Sequence, residues 1–272
     1  MKVALVQMNT RNDKQDNINK ALRFIDEAAE KQVDWIGFPE YFSYLTDDTT
    51  KLEAAEPLNG PTIQMMQREA VKHNLYIHLG SMIETTDENR VYNTSVLIDD
   101  NGEIIETYRK LHLFDVDVPG KVSMKESDTI KPGENISLAE TKFGKVGMSI
   151  CYDIRFPELY RKLALSGATI LLVPAAFAQY TGTHHWETLL RARAIENGCF
   201  VFAAGQIGPF PPNEGHCFGN SMIIDPWGTV LARAEEEESL VISEINLDRI
   251  DKVRKSVPSL NHRREEVYAN PI

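Results

Sequence analysis

The chain has 272 residues, 42% of them hydrophobic and 25% charged, enough apolar material for one large core or two small ones. A formal charge of -11, from 29 basic against 40 acidic residues, argues against nucleic acid or an anionic membrane surface as partner, because both reward basic patches; an anionic substrate would need a local cationic pocket. Three cysteines, Cys151, Cys199 and Cys217, show no metal-ligand spacing, and neither a signal peptide nor the ~20 apolar residues of a membrane span can be found, so a cytoplasmic protein without disulfide framework or structural zinc is expected.

MKVALVQM reads as a buried strand, and Ile18, Ala21, Leu22, Ile25, Ala28 and Ala29 then recur at helical spacing over residues 17 to 31. WIGFPEYF is the next strand, a helix runs from about Thr62 to Asn74, and LYIHLGSMIE is again a strand. VYNTSVLIDDNGEIIETY has the pattern of a hairpin turning at Asn101-Gly102, a pair suited to positive φ. After a long loop the order restarts. KVGMSI is a strand, FPELYRKLALSG a helix with Pro157 near its first turn and Gly167 near its end, and ATILLVPAAF a buried strand. THHWETLLRARAIENG is helical, CFVFAAGQIG a strand and NSMIIDPWGTVLARA another hairpin; the acidic run Glu235 to Glu238 reads as a solvated turn.

The halves overlay in order: KVALVQ on KVGMSI, GFPEYF on LVPAAF, AVKHNLYIHLG on AIENGCFVFAA, and SVLIDDNGEII on SMIIDPWGTVL, with Pro39 over Pro174. Two similar α/β halves, each a sheet with one helix-covered face, pack sheet on sheet into a four-layer αββα sandwich with a pseudo-twofold repeat. No linker divides residues 1 to 272, which read as one domain ending in a tail from 257 to 272.

Cys151 ends a strand before helix-starting residues, where exposed N–H groups favour a thiolate; the plainer reading is a buried, inert thiol, which also suits Cys199 and Cys217. Glu40 ends the apolar strand WIGFPE, where a buried carboxylate must be hydrogen-bonded, paired or functional. The matching position in the repeat is Ala175, so the fold itself requires no acid there. Lys110 closes IIETYRK and taken alone reads as a solvated lysine; Glu126 in MKES taken alone is a loop carboxylate.

Together these segments resemble the nitrilase superfamily of carbon-nitrogen hydrolases, marked by Glu, Lys and Cys in that chain order: GFPEYF around Glu40, YRKLHLFDVDVPG around Lys110 and GMSICYDIRFPELYR around Cys151. The likeness runs through HHWETLLRARAIE and DPWGTV to LNHRREEVY, and CYDIRFPEL and HLFDVDVPG are similar to the Nit branch, the omega-amidase and deaminated-glutathione amidase group. Classical nitrilases usually have Trp-Glu after the cysteine, where Tyr152 and Asp153 stand here.

The resemblance implies a cysteine nucleophile (Cys151), a base (Glu40) and a cation (Lys110) that, with the backbone N–H of Tyr152, holds an oxyanion. It implies a second glutamate, Glu126, bonded to Lys110 or orienting the amide, and no metal or organic cofactor. Arg155 matches an arginine that grips a substrate carboxylate, although a salt bridge to Asp153 or Glu158 is an equal reading; Phe177 and Thr181 match pocket positions. The implied reaction cleaves the omega-amide of a small carboxylic or 2-oxo acid, of the deaminated glutathione or 2-oxoglutaramate type, through a cysteinyl thioester to acid and ammonia. Nitrilase and N-carbamoyl amino acid amidohydrolase activities belong to the same superfamily. Homodimers or higher homo-oligomers with exchanged C-terminal tails are also implied.

Three rival readings stay open. His184, His185 and His216 with Cys217 make a weak metal set, lacking HExxH spacing. His112 would serve a Cys/His acyltransferase or peptidase. A non-catalytic regulator would reuse the fold. The loop GPFPPNEGHCFG, 208 to 219, is expected to border the pocket.

Overall fold

In the computed structural model, which describes residues 1–46, 50–210 and 215–268, the first strand, β1 (Lys2–Gln7), is buried along nearly its whole length. Val3 and Leu5 pack toward a second sheet while Ala4 and Val6 pack with helices, the alternation that a two-residue strand period imposes. The chain continues through α1 (Lys14–Glu30), β2 (Trp35–Gly37), α2 (Lys51–Ala54), α3 (Pro61–His73), β3 (Tyr76–His78), β4 (Met82–Glu84), β5 (Tyr92–Ile98) and β6 (Ile104–Arg109). A two-stranded arm, β7 (Asp115–Val118) and β8 (Val122–Lys125), separates this half from the next. The second half comprises β9 (Leu138–Thr141), β10 (Gly144–Met148), α4 (Pro157–Leu165), β11 (Ile170–Leu172), α5 (Gln179–Asn197), β12 (Phe200–Ala203), the pair β13 (Ile207–Phe210) and β14 (Gly215–Phe218), β15 (Met222–Ile224) and β16 (Val230–Arg233). Strand β17 (Ser239–Glu244) returns to pair with β1, and α6 (Asp248–Ser256) and α7 (Glu265–Tyr268) follow.

The first sheet runs β17-β1-β2-β3-β5, with β4 and β6 both on β5; the second runs β9-β10-β11-β12-β15-β16. Each has a parallel centre, β1-β2-β3 or β10-β11-β12, flanked by antiparallel strands. The expected repeat is thus present in the topology and extends to detail. The register shifts between Leu97 and Ile98 in one half and between Ile223 and Ile224 in the other. Asp99 accepts the N–H groups of Asn101 and Glu103, and Asp225 those of Trp227 and Thr229. Between the sheets Trp35 stacks on Tyr76 at 5.6 Å and meets Phe202 edge-on at 6.1 Å. Ala21, Ile25, Ile63 and Met66 of α1 and α3 cover one outer face, and Leu163 of α4 and Trp186 and Leu190 of α5 pack into the second half's core, which makes the four αββα layers.

The element ends differ from expectation for local reasons. Helix α1 starts at Lys14 because Asp13 caps it, accepting the Asp16 N–H at 3.0 Å. The strand expected over WIGFPEYF stops at Gly37: Pro39 lacks an N–H and Tyr41 turns through φ +57°, which lifts Glu40 out of the sheet at its end. LYIHLGSMIE breaks into two strands at Gly80, φ +63°. CFVFAAGQIG breaks after Ala203, where the chain crosses to bridge Ala175 with Gly205 and Met8 with Gln206. Between Cys151 and α4 lies a 3₁₀ turn, Cys151–Arg155.

A Cβ on Gly80 would lie 2.1 Å from the Pro39 carbonyl oxygen and 2.2 Å from that of Phe38. Gly80→Ala is therefore expected to cost about 2–4 kcal/mol in urea unfolding, by adding αL strain to a backbone clash beside Glu40. An unchanged midpoint would contradict this.

Candidate active site

Four side chains from distant parts of the chain, each just past the end of a strand, converge on one another. Glu40 follows β2, Lys110 follows β6, Cys151 follows β10, and Glu126 opens a short 3₁₀ turn after β8. Glu40, Lys110 and Glu126 are each 2% exposed. The Lys110 ammonium donates to Glu40 Oε1 at 2.9 Å and to Glu126 Oε2 and Oε1 at 2.9 and 3.1 Å. Burial alone would lower the Lys110 pKa, but Glu126 and Glu40 outweigh it and hold the group well above the usual lysine range. Glu126 shows the mirror effect: burial favours its neutral form, yet Lys110 and the Phe114 N–H at 2.7 Å hold its carboxyl below the usual range.

Each carboxylate is aimed by several donors. Glu40 Oε1 also accepts from Asn93 Nδ2 at 2.8 Å, and Oε2 accepts the Ala176 N–H at 2.7 Å. Tyr41 donates its hydroxyl to Glu126 Oε1 at 3.0 Å. Sequence reasoning missed Asn93 and Tyr41, and the two backbone N–H groups carry no sequence signal. Asn93 did leave one: its match in the repeat is Gly219, so the fold itself requires no amide there.

Cys151 sits at φ +48° with its N–H donated to the Pro174 carbonyl at 2.8 Å. The expected thiolate is not favoured. Burial and the negative charge and hydrogen-bonding of Glu40 push the thiol well up, with Lys110 only partly opposing them. The sulfur is thus biased toward its protonated form beside the hydrogen-bonded Glu40 carboxyl. The N–H groups of Cys151 and Asp153 are spent on Pro174 and on Ile150 (3.0 Å), and the one between them belongs to Tyr152.

Phe114, Cys151, Tyr152, Ala176, Phe177, Ala178 and Thr181 line a small cavity over the sulfur. The guanidinium of Arg155 stacks over Phe177 (5.3 Å) and Tyr152 (5.7 Å) and donates to His185 Nδ1 at 3.2 Å. Among the described residues no ion pair joins Arg155 to Asp153 or Glu158. Asp153 is taken by Tyr108 Oη, the Ile150 N–H and His112, at 2.7, 2.8 and 2.7 Å. Phe177 also packs on Trp186 at 5.0 Å, and Thr181 donates to the Ala178 carbonyl at 3.3 Å.

The rival groups lie elsewhere in function. His112 is stacked on Phe156 at 3.6 Å and held by Asp153, whereas the charges acting most on Cys151 are Glu40, Lys110 and Glu126. Cys199 is fully buried, with its thiol pushed up to about 11 by burial. Among the described residues the clustered ligand-type side chains are Asp26, Glu69 and His73, with the Lys72 ammonium 2.8 Å from Glu69; His184, His185, His216 and Cys217 form no such group. Residues 211–214 of the loop expected to border the pocket lie outside the described residues; Cys217, beyond them, bridges to cavity-lining Ala178.

A carbon-nitrogen hydrolase sequence profile matches residues 2–255. The chain is 43% identical over 264 residues to the deaminated glutathione amidase of Synechocystis sp. (strain PCC 6803), covering 96% of this chain and 97% of that one. It is 39% identical over 274 residues to the deaminated glutathione amidase of Homo sapiens, covering 98% and 84%. Among solved structures it superposes on the C. elegans NitFhit protein with TM-score 0.92 and 38% identity, covering 98% of this chain and 66% of that longer chain. It superposes on Saccharomyces cerevisiae Nit3, a member of branch 10 of the nitrilase superfamily, with TM-score 0.87 and 32% identity, covering 97% and 96%.

Because the folded-state pKa of Glu126 is depressed, its ionised form adds stability above the ordinary carboxylate range, and that stability is lost as pH falls through the depressed value. Melting temperatures of wild type and Glu126→Gln, compared at neutral and at acid pH, should show a shallower acid decline in the variant. Equal slopes would mean that Glu126 is not ionised in the fold.

Proposed function

The chain belongs to the carbon-nitrogen hydrolase family, and from that premise we propose that it hydrolyses the omega-amide of a small 2-oxo or carboxylic acid, with deaminated glutathione as the favoured substrate and 2-oxoglutaramate as the alternative. The observation that carries the reading is the meeting of Cys151, Glu40 and Lys110 at one buried point, in a chain similar over nearly its full length to deaminated glutathione amidases.

In this reading Glu40 takes the proton of the Cys151 thiol as sulfur attacks the amide carbonyl carbon. Negative charge passes to the carbonyl oxygen, where the Lys110 ammonium and the Tyr152 N–H receive it. Glu40 returns the proton to the amide nitrogen, the C–N bond breaks, and an acyl thioester remains on Cys151. The amine released is ammonia from a primary amide, or cysteinylglycine from the γ-linked amide of deaminated glutathione. Water, deprotonated by Glu40, then attacks the thioester, the acid leaves and the proton returns to sulfur. Glu126 keeps Lys110 charged and aimed, which is supported by its paired contacts at 2.9 and 3.1 Å. The substrate carboxylate would meet Arg155, with Phe177 and Thr181 shaping the pocket; the stacking of Arg155 on cavity-lining Phe177 and Tyr152, rather than pairing with Asp153 or Glu158 among the described residues, supports this. The Arg155 cation also supplies the local positive charge that a -11 chain needs for an anionic ligand.

We further propose that residues 1–272 act as one unit in a reducing, cytoplasmic setting, supported by three unpaired buried thiols. Pairing into homodimers through the tail from 257 onward is supported by exposed apolar side chains at Val257, Val267 and Tyr268.

The direct test measures acid and amine release from deaminated glutathione, 2-oxoglutaramate, glutamine, the asparagine keto acid, a nitrile and a carbamoyl amino acid. Turnover of the first two is expected, with Cys151→Ala folded but inactive and Glu40→Gln reduced at least about a thousandfold. Turnover of the nitrile alone would refute the amidase reading, and full activity in Glu40→Gln would favour a histidine-activated cysteine.

A further inference from the structure

Lys110 is buried beside Cys151 with two acidic side chains around it. Two buried carboxyl groups, Glu40 and Glu126, share the single Lys110 ammonium through contacts of 2.9 Å each. An uncompensated buried charge is costly, and two carboxylates sharing one cation push each other toward protonation.

The short helix α2 supplies a second ammonium. Lys51 is only 4% exposed, unusual for a lysine, and its Nζ lies 5.2 Å from the centroid of the Tyr41 ring. Tyr41 in turn donates its hydroxyl to Glu126 Oε1 at 3.0 Å. Resting on the hydrolase reading above, we propose that Lys51 is a positioning residue of the reaction, the second cation of the site, acting through Tyr41 and Glu126 on Lys110.

The geometry gives this a mechanical sense. An ammonium has three N–H donors, and here they meet Glu40 Oε1 and Glu126 Oε2 at 2.9 Å each and Glu126 Oε1 at 3.1 Å. To receive an oxyanion, Lys110 must release one of them. The longest contact is the one whose acceptor Tyr41 already serves, so Glu126 Oε1 stays satisfied when the ammonium turns. Lys51 keeps Glu126 ionised through that exchange, and its charge is among those that hold the Glu126 carboxyl below the ordinary range.

Neighbouring charged groups among the described residues are also held by partners. Facing Glu126 are Lys110, Glu40, Tyr41, Cys151 and Lys51; on its own segment Lys125 and Asp128 pair with each other at 2.7 Å in solvent. On β4, beside α2, Glu84 is held by Arg109 at 2.6 Å, and Glu56 is held by Lys14 at 2.5 Å.

The test is the pH profile of kcat/KM for the amide the wild type turns over, measured on Lys51→Met, Lys51→Arg and Tyr41→Phe with thermal melts as folding controls. Removing a positive charge raises neighbouring carboxylate pKa values. The acid limb of Lys51→Met should therefore move to higher pH by about half a unit to one unit, with kcat down roughly tenfold and KM nearly unchanged. Lys51→Arg should restore the limb, and Tyr41→Phe should lower kcat with a smaller displacement. Should Lys51→Met not fold, Lys51→Gln carries the same readout. A folded neutral variant whose acid limb and kcat match the wild type overturns the proposal, as does a loss that Arg fails to rescue. Wild-type protein without amide turnover would sink the hydrolase reading and this inference together, whereas turnover with an unshifted limb sinks this inference alone.

Discussion

The site depends on one buried ammonium held between two carboxylates. Lys110, Glu40 and Glu126 are removed from water almost completely, and desolvating three charges is favourable only if geometry and extra donors repay it. Here they do so by division of labour: Asn93 and the Ala176 N–H satisfy Glu40, and Tyr41 and the Phe114 N–H satisfy Glu126. The network comes from five separate chain segments, so it forms only when both halves are folded and packed. That couples the chemistry to the sheet-on-sheet core more tightly than a site built on one loop would allow.

The repeat explains why the site is single although the architecture is double. Topology, register shift and Asx turn recur in both halves, yet Cys151 lies over Met8 and Glu40 over Ala175. The first half supplies Glu40 and Lys110, and the second supplies Cys151 and most of the cavity wall. Cys151 needs its positive φ to stand at the strand end while its own N–H stays bound to Pro174. Glu40 stands one residue past Pro39, whose carbonyl packs so closely on Gly80 that no side chain fits between them.

Much of this was legible in the sequence. Strand and helix order and the αββα layering followed from periodicity and the repeat; Cys151 and Glu40 stood out at strand ends, whereas Lys110 and Glu126 were singled out only by the resemblance to the nitrilase superfamily. Element ends did not follow, because they are set by Asp13 capping, by Pro39 and by Gly80, all of which act against the apolar pattern. Of the two readings of Cys151 the thiolate is the one disfavoured, because burial and the neighbouring Glu40 carboxyl, neither visible in the local polarity, push the thiol up. Asn93, Tyr41 and Lys51 were unread because their importance lies in what they face across the fold, not in their neighbours along the chain.

If Cys151 is the covalent nucleophile, the decisive observation is the acyl-enzyme itself. Protein mixed with excess substrate, quenched in acid within the first turnovers and examined by mass spectrometry, should carry the substrate's acyl mass on the peptide containing Cys151 and on neither Cys199 nor Cys217. Turnover without any such adduct under conditions where deacylation is slow, or an adduct on another residue, would contradict the mechanism.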